Sequence, residues 1–202
     1  MKDPSDNTMI TLDVDFPIWD YFFTVAPLVI VGSKEGEVYD LAPKHLAMPM
    51  GWSNYFGFMC TPRHGTYHNI KHHKVFTVSY PRADQIVNTS LTASSRTDKS
   101  GLKPILDAME TIPAEIVDGV FLKESYLLLE CELERIIDGF GVNSLITGKV
   151  VASHVHRDAF RPSLEDDQKL LFDSPLITYL NPGRFAIVKE TNAFPFPANF
   201  NK

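Results

Sequence analysis

Three segments, Tyr55-Phe-Gly-Phe-Met-Cys60, Thr61-Pro-Arg63-His-Gly65-Thr66-Tyr-His-Asn69-Ile70-Lys-His72-His73 and Val75-Phe-Thr-Val-Ser-Tyr80, follow one another almost without a break. The outer two are rich in aromatic and β-branched residues, which favour a pleated, half-buried strand. From Thr66 to His73 the middle segment has room for about two helical turns. The order is strand, turn, short helix, strand.

The same grammar extends in both directions. Val25-Ala-Pro-Leu-Val-Ile-Val31 is continuously apolar, as a fully buried strand is. Gly32-Ser-Lys-Glu-Gly36 reads as a polar hairpin turn, with Val38–Leu41 as the returning strand. Further on, Tyr126–Glu134, Ser144–Val155 and Phe185–Lys189 are strand-like. Ala83–Ser94 places Ala83, Ile86, Val87 and Leu91 at helical spacing, and Leu102–Glu110 is a weaker helix pattern with Pro104 near its start. Many strands with few helices between them predict a mainly β protein, an antiparallel barrel with helical insertions. No composition shift divides the 202 residues, so residues 1–202 are expected to form a single domain. The tail Asn192-Ala-Phe-Pro-Phe-Pro-Ala-Asn-Phe200 cannot be a central strand with those prolines. It reads as an arm, at about residues 190–202, packed on the barrel or on a partner subunit.

Composition narrows the function. Nineteen Lys and Arg against 25 Asp and Glu give a net charge of −6, which suits no general nucleic-acid binder, because phosphate affinity needs clustered cations. The longest apolar run is far short of the roughly 20 residues of a membrane span, and no apolar signal core opens the chain, so no membrane partner is expected. Two cysteines far apart, Cys60 and Cys131, read as reduced buried thiols and a cytoplasmic setting.

Four clusters carry candidate chemistry. His64, His68 and His72 share a helical face, with His73 beside them; this is a metal site or a polar exposed face, and no carboxylate lies within the segment to complete a ligand set. Arg63, Thr66 and Asn69 stand at the strand-to-helix junction, with Thr66 a candidate N-cap; unpaired amides there and the Arg63 fork suit a phosphate. Thr92-Ala-Ser94-Ser95-Arg96-Thr97-Asp98-Lys99 adds hydroxyls and two cations in a loop that can close on the same anion. Met48-Pro49-Met50-Gly51-Trp52-Ser53 combines a soft thioether, a glycine and an indole, either a contact for a flat ligand or a bulged strand end.

Taken in order, these segments resemble the flavin reductase-like proteins with an FMN-binding split barrel, flavoredoxin among them. The likeness runs from about Val25 to Val188 and includes Leu129-Glu130-Cys131-Glu132-Leu133 and Leu145-Ile-Thr-Gly148-Lys-Val150 as late barrel strands. The resemblance implies a split β-barrel that binds FMN. Its phosphate is expected at Arg63, Thr66, Asn69, Ser95, Arg96 and Lys99, and its ring against Met48, Pro49, Met50, Gly51, Trp52 and Ser53. It further implies an oxidoreductase drawing electrons from NADH or NADPH and passing them through FMN to a second acceptor, working as a homodimer, with no protein nucleophile. Three alternatives stay open on sequence: an FMN electron-transfer protein with little nicotinamide activity, a histidine metal protein, and a cofactor-free interaction module.

Overall fold

The computed structural model describes residues 8–96, 103–162 and 168–197. The strands and helices run Thr24–Pro27 (β1), Val29–Glu35 (β2), Val38–Lys44 (β3), Ala47–Pro49 (β4), Tyr55–Cys60 (β5), Gly65–His73 (α1), Val75–Tyr80 (β6), Ile86–Leu91 (α2), Thr111–Pro113 (β7), Val120–Leu122 (β8), Leu127–Phe140 (β9), Asn143–Val155 (β10), Gln168–Asp173 (α3), Leu176–Asn181 (β11) and Arg184–Val188 (β12). Seven strands form one sheet in the order β3-β2-β6-β9-β10-β5-β4, curled into a half-barrel; β1-β11-β12 and β7-β8 form smaller sheets. The mainly β expectation holds.

The curl has a simple cause in sequence. Alternate residues of β2 face opposite sides. Val29 and Val31 point into the barrel with Phe56, Phe58, Phe76, Val78 and Ile146, whereas Ile30 joins Leu41, Met109, Val120 and Leu122 on the outside. Both faces are covered, which is why the run is apolar without alternation. Gly148 on β10 lets the Phe76 ring in: a Cβ there would lie 2.5 Å from that ring. The two edge strands of the sheet, β3 and β4, are joined by only His45 and Leu46, so the open seam of the barrel lies where β3 ends.

Several boundaries differ from the sequence reading. The apolar run at 25–31 is two strands in two sheets, β1 paired with β11 and β2 with β3 and β6; Pro27 has no N–H to continue a ladder, and the chain changes sheet at Leu28. The hairpin turn is only Gly36–Glu37, with Glu35 opposite Val38; Gly32–Glu35 belong to β2. The Ala83–Ser94 helix contracts to a 3-10 turn at Ala83–Gln85 followed by α2, and Leu102–Glu110 to a 3-10 turn over Pro104–Ala108. Strand β11 was not read from sequence, because Thr178, Tyr179 and Asn181 interrupt its apolar pattern. The tail through Pro197 is irregular, with the Phe194 and Phe196 rings 4.6 Å apart and both exposed.

Candidate functional site

A polar cavity of about 450 Å³ opens at the seam of the barrel. Three parts of the chain wall it: the end of β3 (Asp40, Ala42, Pro43, Lys44), the junction into α1 (Arg63, His64, Gly65, Thr66), and the stretch after α2 (Thr92 to Arg96), with Lys103 beside them. Helix α1 starts at Gly65 with His64 as N-cap; that side chain makes no capping bond, and no acidic residue lies in the first turn. Thr66 is therefore the second helical residue, two places inside its expected position as N-cap, and it lines the cavity at 2% exposure. The Tyr67 amide donates to the His64 carbonyl at 3.1 Å, but the Gly65 and Thr66 amides have no capping side chain, and with the helix dipole they favour an anion here.

The cations divide into two kinds. Arg96 is held by carboxylates: its Nη2 bonds Glu35 Oε2 and lies 3.4 Å from Asp40 Oδ1. Lys103, 9% exposed, puts its Nζ 3.1 Å from Asp40 Oδ1 and donates to the Leu41 carbonyl at 2.7 Å. Lys44 and Arg63, by contrast, make no ion pair or hydrogen bond among the described residues. Burial pulls the Lys44 ammonium below the ordinary lysine range, and Lys103 acts in the same direction; the Cys60 thiol and Asp40 oppose it. Partial desolvation lowers the pKa of the otherwise exposed His64, and Lys44 and Arg63 lower it further. The cavity thus presents two cations without counter-ions, one of them largely desolvated, beside an uncapped helix start. A dianion supplies what such a site lacks.

An apolar cavity of about 550 Å³ adjoins it, sharing Pro43 and Ala93. Leu28, Ile86, Val87 and Phe185 line it, with His45 against Tyr179 at a ring separation of 4.5 Å. Burial lowers His45, and Lys44 adds to the effect.

Of the residues expected at the site, Arg63, Thr66, Ser95 and Arg96 come together on the polar cavity. Asn69 does not border it; its Nδ2 donates to Ser33 Oγ at 3.1 Å and ties α1 to β2. Lys99 lies outside the described residues. The segment from Met48 to Ser53 is not on this cavity either. Met48 and Pro49 belong to edge strand β4 and Met50–Ser53 to its connection into β5, with Gly51 at φ +82, the Met50 sulfur over Gly57, and Trp52 94% exposed. Pro49 and Ser53 line a separate groove with Tyr80, Leu127 and Val150. Lys44, Pro43 and His45 were missed. Their signal was a proline, a lysine and a histidine interrupting the end of an apolar strand, which reads equally well as an ordinary strand terminus. Among the described residues no group of three or more His, Cys, Asp or Glu is placed to hold a metal ion; His64, His68 and His72 are exposed.

The model of the flavin reductase-like domain family matches residues 23–178. Among solved structures, component B of nitrilotriacetate monooxygenase from Bacillus cereus superposes with a TM-score of 0.77 at 19% identity, covering 93% of this chain and all (100%) of that one. The FMN-binding protein of Thermus thermophilus gives 0.75 at 17%, covering 92% and 99%. Flavoredoxin of Desulfovibrio vulgaris (Miyazaki F) gives 0.73 at 18%, covering 94% and 99%. At these identities the likeness is one of fold, the split barrel. A search of the curated proteins found no match.

Proposed function

We propose that this chain, which belongs to the flavin reductase-like domain family, binds FMN across the two adjoining cavities and acts as an FMN-dependent oxidoreductase with NADH or NADPH as electron donor. The observation that carries the reading is the pair Lys44 and Arg63. They are two cations without carboxylate partners on one cavity, beside an uncapped helix start, and they match the double negative charge of a phosphomonoester. Asp40 and Glu35 are no obstacle, because Lys103 and Arg96 already hold them. The apolar cavity beyond Pro43 suits a flat ring system.

When bound, the flavin ring supplies the two-electron chemistry. The chain supplies the rest. Lys44 and Arg63 grip the phosphate, Thr66 and Ser95 offer hydroxyls to it, and the α1 amides add a fixed positive potential. Leu28, Ile86 and Val87 keep water from one side of the ring. No protein nucleophile is required. The chain is further read as a homodimer in one domain, since Phe23, Phe194 and Phe196 and the N-terminal Phe16 and Trp19 are exposed, more aromatic surface than a lone domain ordinarily leaves in water.

The test is direct. Purified protein titrated with FMN should gain a saturable flavin spectrum between 350 and 500 nm, and stopped-flow mixing with NADH or NADPH should bleach it. A protein that leaves added FMN unperturbed refutes the reading, whereas one that binds FMN without bleaching retains the flavin and loses the nicotinamide.

A further inference from the structure

The apolar cavity is larger than a single aromatic system needs, at about 550 Å³, and its far end is built differently from the end that meets Pro43. There the β11–β12 hairpin brings Tyr179, Gly183, Arg184 and Phe185 into the wall. The Gly183 amide donates to the Tyr179 hydroxyl at 2.8 Å, which fixes the turn against the ring. Tyr179 in turn packs on His45 at a 35° tilt. No carboxylate lines this cavity among the described residues, and Arg184 is its one formal charge there. Arg184 is exposed and makes no ion pair or hydrogen bond among those residues. Thr89, which also lines the cavity, is 0% exposed, and its hydroxyl has no hydrogen-bond partner among the described residues.

Each feature selects for the same kind of ligand. The apolar walls take a flat ring with few polar atoms. Partial burial and the neighbouring Lys44 disfavour the charged form of His45, whose ring packs on Tyr179. The guanidinium at the mouth presents a planar fork, the geometry that a carboxylate fits with two parallel hydrogen bonds. With no acidic residue in the wall, nothing competes for that fork, and nothing would hold an amine. We infer that the far end of this cavity is a second-ligand site for an aromatic carboxylate, its ring laid against the cross-strand pair Tyr179 and Phe185 and its carboxylate on Arg184. This rests on the flavin reading for the ligand's role as second reactant, though not for its binding.

The experiment uses the full chain saturated with FMN. Benzoate and benzyl alcohol are titrated in parallel, followed by calorimetry and by the shift of the flavin absorbance. Benzoate is expected to bind at least tenfold more tightly than benzyl alcohol and to perturb the flavin spectrum. Arg184→Met should bring benzoate down to the level of benzyl alcohol while leaving benzyl alcohol unchanged. Equal affinities in the parent protein, or benzoate binding that survives Arg184→Met, would overturn the inference. If FMN does not load, the flavin reading fails by itself. Calorimetry of the two ligands on the flavin-free chain then still decides the aromatic site, by the same comparison.

Discussion

Replacing Lys44 by Met keeps most of the apolar stem and removes the charge. In the folded chain Lys44 faces the polar cavity with no ion pair or hydrogen bond among the described residues, while Asp40 is already satisfied by Lys103 and Arg96. The substitution therefore strands no carboxylate. Its cost should fall on the bound anion alone. A hydrogen bond to a charged group contributes about 1.5–3 kcal/mol, so FMN affinity should fall by roughly thirtyfold for a loss near 2 kcal/mol. Riboflavin, which has no phosphate, should bind the Lys44→Met protein as it binds the parent. Fluorescence-quenching titrations with both flavins measure the ratio. The pH dependence provides a second arm. Burial lowers the Lys44 pKa below the ordinary 10.5, so raising the pH removes this proton earlier than from a free lysine. FMN affinity should decline with rising pH in the parent and stay flatter in Lys44→Arg, which remains charged. Equal FMN-to-riboflavin ratios in the parent and Lys44→Met would refute the assignment of the phosphate to this cavity.

Other consequences concern the frame around the site. Arg96→Ala should weaken FMN by about 1–3 kcal/mol, because it removes a cation from the cavity and leaves Glu35 without this partner and Asp40 with Lys103 alone; a titration at two ionic strengths should show the penalty shrinking with salt. Glu130, 0% exposed, accepts the amides of Glu115, Ile116 and Val117 at 2.7–3.0 Å and bonds His154. Burial pushes this carboxyl up, and the three amides with His154 overcome it, holding it below 4.5. A lowered carboxyl pKa stabilises the fold above the unfolded value, and that contribution is lost as pH falls through the folded value. Glu130→Gln should therefore cost about 2–4 kcal/mol in urea unfolding at pH 7 and less at pH 3, and an undiminished cost at pH 3 would contradict the charge argument. Gly148→Ala should destabilise the barrel by about 1–3 kcal/mol, since its Cβ would press on the Phe76 ring at 2.5 Å and the Glu132 carbonyl at 3.0 Å; an unchanged melting temperature would show that the ring has room to move.

The strand-turn-helix-strand order around Arg63 was legible because its signals are local. Tyr55–Cys60 and Val75–Tyr80 form strands at the bounds their composition suggests, and α1 begins within a residue of Thr66. Ser95 and Arg96 were legible for a related reason: a cluster of hydroxyls and cations in an acidic chain stands out wherever the fold places it. Sequence alone thus determined the strand-rich architecture and picked out Arg63, Thr66, Ser95 and Arg96, which line one polar cavity. It could not determine which cations face the anion without a counter-ion. Whether Arg96 is neutralised depends on Glu35 and Asp40, some sixty residues away in the chain and across a cavity that exists only when β3 meets the end of α2. Only the folded chain leaves Lys44 without an ion pair among the described residues and keeps Met48–Ser53 off the polar cavity. A one-residue pattern fixes what a side chain is; the curvature of the barrel, which sums contacts over its whole length, decides what that side chain faces.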